Sequence, residues 1–371
     1  MAATQRDGRL TMQLILAHLR RWSAAFAIFA LVAALYGFGA FEPFEHALMD
    51  SRFRLLPRGV SGRIVIVAID PESLHKLDTW PWPRDYHARL LDRLFAAGAK
   101  EVAFDVDFSA ASGADADATF ESALARAAGR VMLPVFAQRN RSASQEPNLV
   151  YNSFPIAPFR RSVLLGAVNV FPDADGLVQQ YAPVMTIDGA PMPSMAALLS
   201  GSLPQQSGSF YLDYGIDPNT LTILSYVDVL QGNFDPSAIA GKKVIVGSTA
   251  VELCDRLPVP LYHTMAGPVL QALAYESLSQ GRALHRSGAL LTLSLALLIL
   301  LLLERQFSAG GWRRSLLALL GTGAAIYGVS LVVQKIAPLS LDLAPTLAGA
   351  AGLYAFGVVR ELERQALAAF R

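Results

Sequence analysis

The sequence predicts an α/β domain with a mostly parallel sheet and flanking helices, joined to four transmembrane α-helices. Two observations support this fold class. Four apolar stretches are each about as long as a bilayer is thick; the first three contain no charged residue and the fourth has Asp342 at its start, and one long segment separates the first from the second. Within that segment, runs of β-branched residues alternate with helix-like patterns, which is typical of a parallel sheet covered by helices.

The composition also indicates a membrane protein. Of the 371 residues, 53% are hydrophobic and 16% are charged, whereas about 25% are charged in soluble proteins. The 31 Lys and Arg residues balance the 30 Asp and Glu residues, so no nucleic-acid partner is expected. A single cysteine, Cys254, excludes an intrachain disulfide framework, and a domain outside the cytoplasm must therefore rely on its hydrophobic core.

The predicted transmembrane helices cover residues 22–41, 287–303, 315–334 and 341–359. Basic residues precede the first helix, lie between the second and third, and follow the fourth, so the positive-inside rule places these segments in the cytoplasm. Residues 1–21 are then a cytoplasmic N-terminus, residues 42–284 an extracytoplasmic domain, and residues 360–371 the start of a cytoplasmic signalling helix. We therefore expect a multi-pass protein of the bacterial inner (plasma) membrane, in contact with lipid. A cleaved signal peptide is the alternative for the first stretch.

Strands and helices alternate in the long segment. Strands are predicted at residues 64–70, 101–108, 130–135 and 241–247, helices at 86–98, 115–128 and 268–281, and a long loop at 138–159. The strand–helix–strand order predicts right-handed crossovers and a parallel sheet. Roughly 240 residues are enough for an independent hydrophobic core.

Several motifs occur in the order found in one sensor family. They are Asp50-Ser-Arg-Phe-Arg54, Ile69-Asp70, Ser73-Leu74, Trp80-Pro-Trp-Pro-Arg84, Phe104-Asp105, Gly166-Ala-Val-Asn169, Asp173-Ala-Asp-Gly176, Ser225-Tyr-Val-Asp-Val-Leu230 and Val246-Gly-Ser-Thr249. Through them the segment from Asp50 to Leu284 resembles the second type of CHASE domain, a cyclase/histidine-kinase-associated sensory extracellular domain. It departs from that pattern at Gln179 and Gln180, where a basic residue is common, and in residues 267–274, which lack the usual His and Asn.

The resemblance implies the sensory part of a receptor whose cytoplasmic output is a cyclase or a kinase. No output domain is recognised in the sequence, so this chain is expected to be no enzyme and to need no cofactor. Its last residues look like the lead into a class III adenylate cyclase, although a histidine kinase or a diguanylate cyclase could also follow. The expected partners are a second copy of the chain, in a homodimer, and an unknown extracytoplasmic ligand or protein. The alternative function is a membrane scaffold that does not switch.

Four acidic residues lie at or just after predicted strand ends: Asp70, Asp105, Asp107 and Asp255. Ligands of open parallel sheets bind at this edge, and oxygen ligands suit Ca²⁺, Mg²⁺ or a cationic or hydroxyl-rich molecule. We therefore treat these acids as candidate ligand-binding residues and leave a metal open. The alternative is that each carboxylate caps a helix or closes a turn.

Trp80, Trp82 and Arg84 belong to a loop that its prolines make rigid. The two aromatic faces could stack on a ligand and Arg84 could face an anion, which adds these three residues to the candidate ligand site. Alternatively, the tryptophans supply apolar area to the core of a domain that has no disulfide.

Two further features are a set of possible catalytic residues and a face of small residues on the fourth predicted transmembrane helix. Ser248, Asp255 and His263 contain the residue types of a hydrolase site, but the sequence lacks the Gly-x-Ser-x-Gly elbow and other catalytic motifs. Ala344, Ala348 and Gly352 recur every four residues in the fourth transmembrane helix. Such a face allows close helix packing, either within one protomer or between two copies.

Overall fold

The computed structural model describes residues 22–77, 80–139, 150–202, 208–307 and 311–369. They divide into two compact units. One unit, which we call the α/β domain, is Phe53–Leu284. The other, which we call the helical unit, contains the described residues before Phe53 and after Leu284.

Helices and strands are numbered along the chain. The helices are α1 Ser23–Gly37, α2 Glu42–Leu55, α3 Pro71–Lys76, α4 Arg84–Ala96, α5 Ala114–Arg126, α6 Met195–Ser200, α7 Tyr226–Gln231, α8 Gly267–Ser279, α9 Ala289–Phe307, α10 Trp312–Ile336 and α11 Ala344–Ala369. The strands are β1 Ile64–Ile69, β2 Glu101–Asp105, β3 Val131–Arg139, β4 Val150–Ser153, β5 Leu164–Ala167, β6 Gln180–Tyr181, β7 Val184–Ile187, β8 Ala190–Pro193, β9 Phe210–Tyr211, β10 Thr222–Ser225, β11 Lys243–Ser248, β12 Arg256–Val259, β13 His263–Ala266, β14 His285–Arg286 and β15 Leu339–Ser340.

The main sheet of the α/β domain has seven strands. Its order is β10-β1-β11-β2-β3-β4, and β5 also pairs with β3. Every pair is parallel except β3–β4. The sheet is therefore mixed but mostly parallel, which confirms the predicted α/β class.

Helices cover both faces of this sheet. α4 contacts both α5 and α7 on one face, while α6 and α8 pack together against the other. β1 is buried along its whole length, which explains its continuous run of Ile, Val and Ala, because a strand covered on both sides needs no polar alternation. One core cluster lies under α4, α5 and α7 and contains Trp82, Phe104 and Phe120.

The predicted elements of the domain occur within a few residues of the expected positions, with one exception. Residues 138–159, expected as a loop, include the end of β3 and the antiparallel strand β4. Residues 140–149 lie outside the described part of the chain. The prediction was wrong for β4 because its Val-Tyr-Asn-Ser sequence has no sustained apolar alternation.

The helical unit contains α1, α9, α10 and α11. α11 contacts each of the other three helices, and a small core formed by Ala25, Leu300 and Leu353 joins α1, α9 and α11. α11 continues without a break from Ala344 to Ala369, so the expected last transmembrane helix and the expected signalling tail are one helix.

By length and composition, two of the described helices, α9 and α10, can cross a membrane. A third candidate is the pair α1 and α2, which is bent by 85°. α1 ends early because the chain turns at Gly39, whose φ is +71°, and its 15 residues are shorter than the roughly 20 needed. The apolar part of α11 is diluted by Pro345 and several glycines and ends at Arg360. The structure thus shows two to three candidate spans rather than clearly four.

Candidate functional site

The carboxyl edge of the parallel sheet brings the ends of β1, β2 and β11 together. β11 lies between the other two strands: Gly247 pairs with Asp105 of β2 and Ser248 pairs with Ile69 of β1. The acidic residues predicted at this edge therefore follow strands that are not all neighbours. Their hydrogen bonds show that they play different roles.

Asp70 caps a helix. Its Oδ1 accepts hydrogen bonds from the Ser73 N–H at 2.8 Å and the Ser73 hydroxyl at 2.6 Å, so it fixes the first turn of α3. The Ser225 hydroxyl also donates to this oxygen at 3.1 Å, and the Val227 N–H donates to Ser73 Oγ at 3.1 Å. Asp70 thereby ties α3 to the start of α7.

Asp107 closes an exposed turn. Its two carboxylate oxygens accept from the Ser109 N–H at 2.8 Å and from the Ser109 hydroxyl at 3.0 Å. These bonds are the local pattern of an aspartate turn. The structure therefore gives Asp70 and Asp107 the roles that the alternative interpretation assigned to all four acids.

Asp105 and Asp255 form a carboxyl pair. Burial raises the pKa of Asp105 to about 8, and the charge of Asp255 contributes to the increase. Burial also raises the pKa of Asp255, against the opposing effect of the nearby Gly267 N–H at the start of α8. Because two like charges in a poorly solvated place cannot both be ionised cheaply, the pair retains a proton at neutral pH.

Two glycines make room for this carboxyl pair. A Cβ atom on Gly247 would lie 2.5 Å from Cγ of Pro268 and 3.0 Å from Cβ of Asp105. One on Gly267 would lie 2.6 Å from Oδ1 of Asp255. All three distances are shorter than a van der Waals contact. Only glycine at positions 247 and 267 therefore lets β11 and α8 approach the carboxyl groups this closely.

A buried polar chain lies beside Asp105. The Tyr181 hydroxyl donates to Oε1 of Gln271 at 2.6 Å, and Nε2 of Gln271 donates to the Val168 carbonyl at 2.8 Å. Burial raises the pKa of Tyr181, and the charge of Asp105 adds to the effect, so this phenol stays neutral. The arrangement can bind or release a proton at the carboxyl pair.

The aromatic loop forms part of the core. Trp82 is fully buried, with its ring centroid 4.9 Å from that of Trp80 and 4.7 Å from that of Tyr226. The Arg84 guanidinium lies 4.5 Å from the centroid of Phe108 and donates to the Asp107 carbonyl at 3.1 Å. These contacts favour the structural interpretation of Trp80, Trp82 and Arg84 over ligand stacking.

His87 completes that aromatic core, although sequence analysis missed it. It is fully buried, and its Nδ1 lies 2.9 Å from the Tyr226 hydroxyl. Burial, together with the charge of Arg84, lowers the pKa of His87 to about 3. The imidazole is therefore neutral and serves as a packing group among aromatic rings.

The hydrolase residues are not assembled into one site. Ser248 pairs with Ile69, whose side chain belongs to the core under α4 and α7, whereas Asp255 lies beside Gly267 at the start of α8. His263 is exposed at the beginning of β13. Among the described residues, no group of three or more His, Cys, Asp or Glu side chains could hold a metal ion.

A second candidate site, in the helical unit, centres on the start of α11. Glu45 of α2 is buried, and its Oε2 accepts from the N–H groups of Leu343 and Ala344 at 2.8 and 2.9 Å. It thus caps α11 from a distant part of the chain. Arg52 lies seven residues after Glu45, on the same face of α2, and is fully buried. It donates to Oε1 of Glu45 at 3.2 Å and to the Leu341 carbonyl at 2.8 Å.

The segment that follows the α/β domain also lies at the start of α11. β14 pairs in parallel with β15, directly before α11. Arg286 of β14 makes a bidentate ion pair with Asp342, with distances of 2.8 and 2.9 Å, and a further ion pair with Glu42. We call Glu45, Arg52, Arg286 and Asp342 the clamp.

The predicted packing face of α11 is only partly buried within the protomer. Ala344 is buried, whereas Ala348 and Gly352 are exposed. The small residue packed most tightly against other helices is Gly349, where a Cβ atom would lie 3.1 Å from Leu300 of α9. The face is therefore exposed at Ala348 and Gly352, and at Gly352 it borders α1, since a Cβ atom there would lie 3.6 Å from Ile28.

Comparison with known proteins adds one match. The family model of the CHASE2 domain matches residues 25–304. Neither the curated proteins nor the solved structures include a significant match to the chain.

Proposed function

Since the chain belongs to the CHASE2 domain family, whose members are extracellular sensory domains, we propose that it is the sensory and membrane module of a receptor. Its α/β domain detects a ligand or protein outside the cytoplasm. The helical unit transmits the signal along α11 to a cytoplasmic output domain, with an adenylate cyclase as the output that best fits the tail.

The proposed topology has four membrane crossings. The first predicted span, residues 22–41, which contains α1 and continues beyond it, crosses the bilayer together with α9, α10 and α11, so that the α/β domain lies outside and α11 enters the cytoplasm. Two features support the fourth crossing: α11 packs against the three other helices, and Arg360 and Arg364 follow its apolar part. The placement in the inner membrane rests on the same distribution of basic residues.

The clamp is the observation that supports signal transmission. Arg52 is the residue before the α/β domain begins at Phe53, and β14 begins directly after that domain ends at Leu284. Both chain connections of the domain are therefore bonded to the segment that leads into α11, Arg52 through the Leu341 carbonyl and Arg286 through Asp342. A change in the domain that moves either connection acts on the helix that leads to the output.

A buried ion pair suits a switch because it is made or broken as a unit. Removing one partner of such a pair leaves an uncompensated charge and costs about 3–5 kcal/mol. A ligand shifts the receptor between two arrangements only if it prefers one of them, and a 1:99 to 99:1 change needs about 5.5 kcal/mol of preference. An arrangement that left one of these charges buried without its partner would be disfavoured by an energy of that order.

The carboxyl pair is the proposed ligand-binding site of the α/β domain. A cationic ligand would pair with Asp105 and Asp255 and displace the proton they hold, whereas a hydroxyl-rich ligand would hydrogen-bond to the protonated pair. A thermal-shift screen of such molecules tests this assignment. We expect the stabilising ligands to lose their effect on the Asp105→Asn variant and to keep it on Asp107→Asn, whereas equal stabilisation of both variants would remove the carboxyl pair from the site.

The topology can be tested without adding a reporter, because Cys254 is the sole cysteine of the chain and is exposed. We expect a membrane-impermeant maleimide to label Cys254 in intact spheroplasts. The matched control is Cys254→Ser with Ala368→Cys in the tail, which should be labelled only after the membrane is permeabilised. The reverse pattern would place the α/β domain in the cytoplasm and rule out the receptor.

Signal transmission is tested with an adenylate cyclase catalytic domain fused after Arg371. Replacing Phe53–Leu284 by a short linker should change the cyclase activity, because the clamp then loses its connection to the domain. In an Arg52→Gln background the replacement should have a smaller effect, whereas the exposed neighbour Arg54, changed to Gln, should leave the effect unaltered. Cyclase activity that is the same with and without the domain would instead indicate a scaffold.

We also propose that the receptor is a homodimer. The exposed small residues Ala348 and Gly352 allow the α11 helices of two copies to approach closely. In a Cys254→Ser background, Ala348→Cys should form a disulfide-linked dimer in membranes, whereas Leu353→Cys, which is buried against α9 and α1, should not. Equal crosslinking at both positions would refute a dimer interface formed by this face of α11.

A further inference from the structure

A cavity of about 320 Å³ lies in the helical unit at the end opposite to the clamp along α11. Residues from α1, α9, α10 and α11 line it. Its charged lining residues are Arg360 and Arg364, one turn apart on α11, together with Glu304 and Glu361. Trp312 and Tyr354 supply aromatic walls.

Each glutamate of the lining has its own hydrogen-bond donor. Oε2 of Glu304, a buried residue, accepts from the Ala25 N–H at 3.1 Å, one of the N–H groups that have no partner inside α1. Oε1 of Glu361 accepts from the side-chain amide of Gln365 at 3.0 Å. Both donors are neutral, so the carboxylates keep their charge; Glu304 is buried, whereas Arg360 and Arg364 are exposed and accessible to an anion.

The arginines have no such carboxylate partner among the described residues. Arg360 lies 5.1 Å from the ring centroid of Phe356, and neither it nor Arg364 has an ion pair within the described part of the chain. At the other end of the helical unit, the buried Arg52 and the partly buried Arg286 are both paired with carboxylates. The two arginines of the cavity thus offer charge that an anion can neutralise.

The cavity also lies where the apolar part of each helix ends. Arg360 directly follows the apolar part of α11, and Trp312 is the first residue of α10. Tryptophan and arginine at such positions are typical of the headgroup level of a bilayer. Basic pockets between transmembrane helices bind anionic headgroups, and the planar guanidinium matches a phosphate in a bidentate manner.

We propose that this cavity binds the phosphate of an anionic phospholipid, with Arg360 and Arg364 as its ligands and Trp312 next to the lipid. The inference rests on the proposed membrane-spanning arrangement of the helices, although not on which side is cytoplasmic. Lipid bound there would hold the inner half of α11 against α9 and α10, while the clamp holds its first turn.

The test uses the full chain in nanodiscs and the fluorescence of Trp312, isolated as the difference between the unmodified chain and Trp312→Phe. Brominated phosphatidylglycerol should quench Trp312 more strongly than brominated phosphatidylcholine at the same mole fraction. We expect a preference of roughly fivefold for each arginine. In Arg360→Gln/Arg364→Gln the preference should fall to about one.

The matched control is Arg305→Gln/Arg314→Gln, which removes two arginines from the same end of the helices that do not line the cavity. It should keep most of the preference for phosphatidylglycerol. Equal quenching by the two lipids, or the same loss in the control pair, would overturn the proposal. If millimolar inorganic phosphate abolishes the preference, the site binds free phosphate rather than lipid. Maleimide labelling of Cys254 tests the topology separately. A failure of the lipid-binding test can therefore be distinguished from a failure of the proposed topology.

Discussion

Changing Asp105 to Asn should remove a pH dependence from the stability of the α/β domain. Burial and the neighbouring Asp255 raise the pKa of Asp105 from 3.8 to about 8 in the folded chain. Between these two values the folded state binds more protons than the unfolded state, so stability falls as the pH rises. The stability is complete below about pH 4 and reaches its lower level above about pH 8.

The size of the effect follows from the geometry of the pair. A rise in the pKa of Asp105 from 3.8 to about 8 lowers the free energy of unfolding at high pH by at most on the order of 5 kcal/mol. Asp105 keeps part of its surface accessible, and the pair can share one proton, so solvent screening and coupling reduce the cost. We therefore expect a loss of about 2 kcal/mol between pH 5 and pH 8, equivalent to roughly 4–8 °C in Tm for a domain of this size.

The assay is thermal unfolding of the full chain in detergent, followed by tryptophan fluorescence at several pH values. Asp105→Asn keeps the shape of the side chain but cannot ionise, so its Tm should change little with pH and exceed that of the unmodified chain at pH 8. Asp107→Asn, an exposed acid in the same loop, is the control and should keep the original profile. Identical pH profiles for the unmodified chain and Asp105→Asn would refute the carboxyl pair.

Three further substitutions test the packing and the clamp, each by thermal unfolding of the full chain. Arg52→Gln should cost about 3–5 kcal/mol because it leaves Glu45 buried without its partner, and adding Glu45→Gln should recover part of that loss; additive losses would contradict a coupled pair. Gly267→Ala should cost more than about 2 kcal/mol because its Cβ would overlap Asp255, whereas Gly113→Ala, where a Cβ meets no atom within 4 Å, should be nearly neutral. Trp82→Leu should cost about 3 kcal/mol by opening a cavity in the aromatic core, and a change below 1 kcal/mol would argue against the burial seen for this ring.

The main strands could be predicted because burial leaves a local signature. β1 and β11 are covered on both faces, so their sequences are almost entirely β-branched or small and apolar. β10 and β4 are short, lie at the ends of the strand order and contain polar residues. Neither has a periodic pattern long enough to distinguish a strand from a loop.

The acidic site was predicted as a group of four but contains two carboxyl groups. Strand ends alone placed Asp70, Asp105, Asp107 and Asp255 at one edge. The order of strands decides which of them meet, and β11 enters between β1 and β2 through a long crossover that no local pattern shows. Gly247 and Gly267 did indicate the carboxyl pair in the sequence. A glycine near the end of a buried strand or at the start of a helix indicates that another part of the chain approaches the backbone closely there.

The clamp was missed because it joins residues that are far apart in sequence. Glu45 and Arg52 lie near the beginning of the chain and Asp342 near the end, so no spacing rule connects them. One local sign was present: Glu45 and Arg52 are seven residues apart, which places both on the same face of α2. A pair of opposite charges on the buried side of a helix next to an apolar segment is costly unless each has a partner.

The properties of α11 determine how a change at the clamp could reach the output. The helix has 26 residues, which corresponds to about 39 Å, and contains no proline after its second residue. In the proposed topology α11 crosses the bilayer, where its backbone hydrogen bonds cannot be exchanged for water, so the glycines along it do not allow it to unwind. A displacement of the first turn is therefore passed on as movement of the whole helix rather than absorbed by local bending. The exposed arginines at the far end oppose that movement when they hold an anionic headgroup, so the lipid and the outer domain would act on one rigid element from its two ends, and each would change the energy that the other needs to move it.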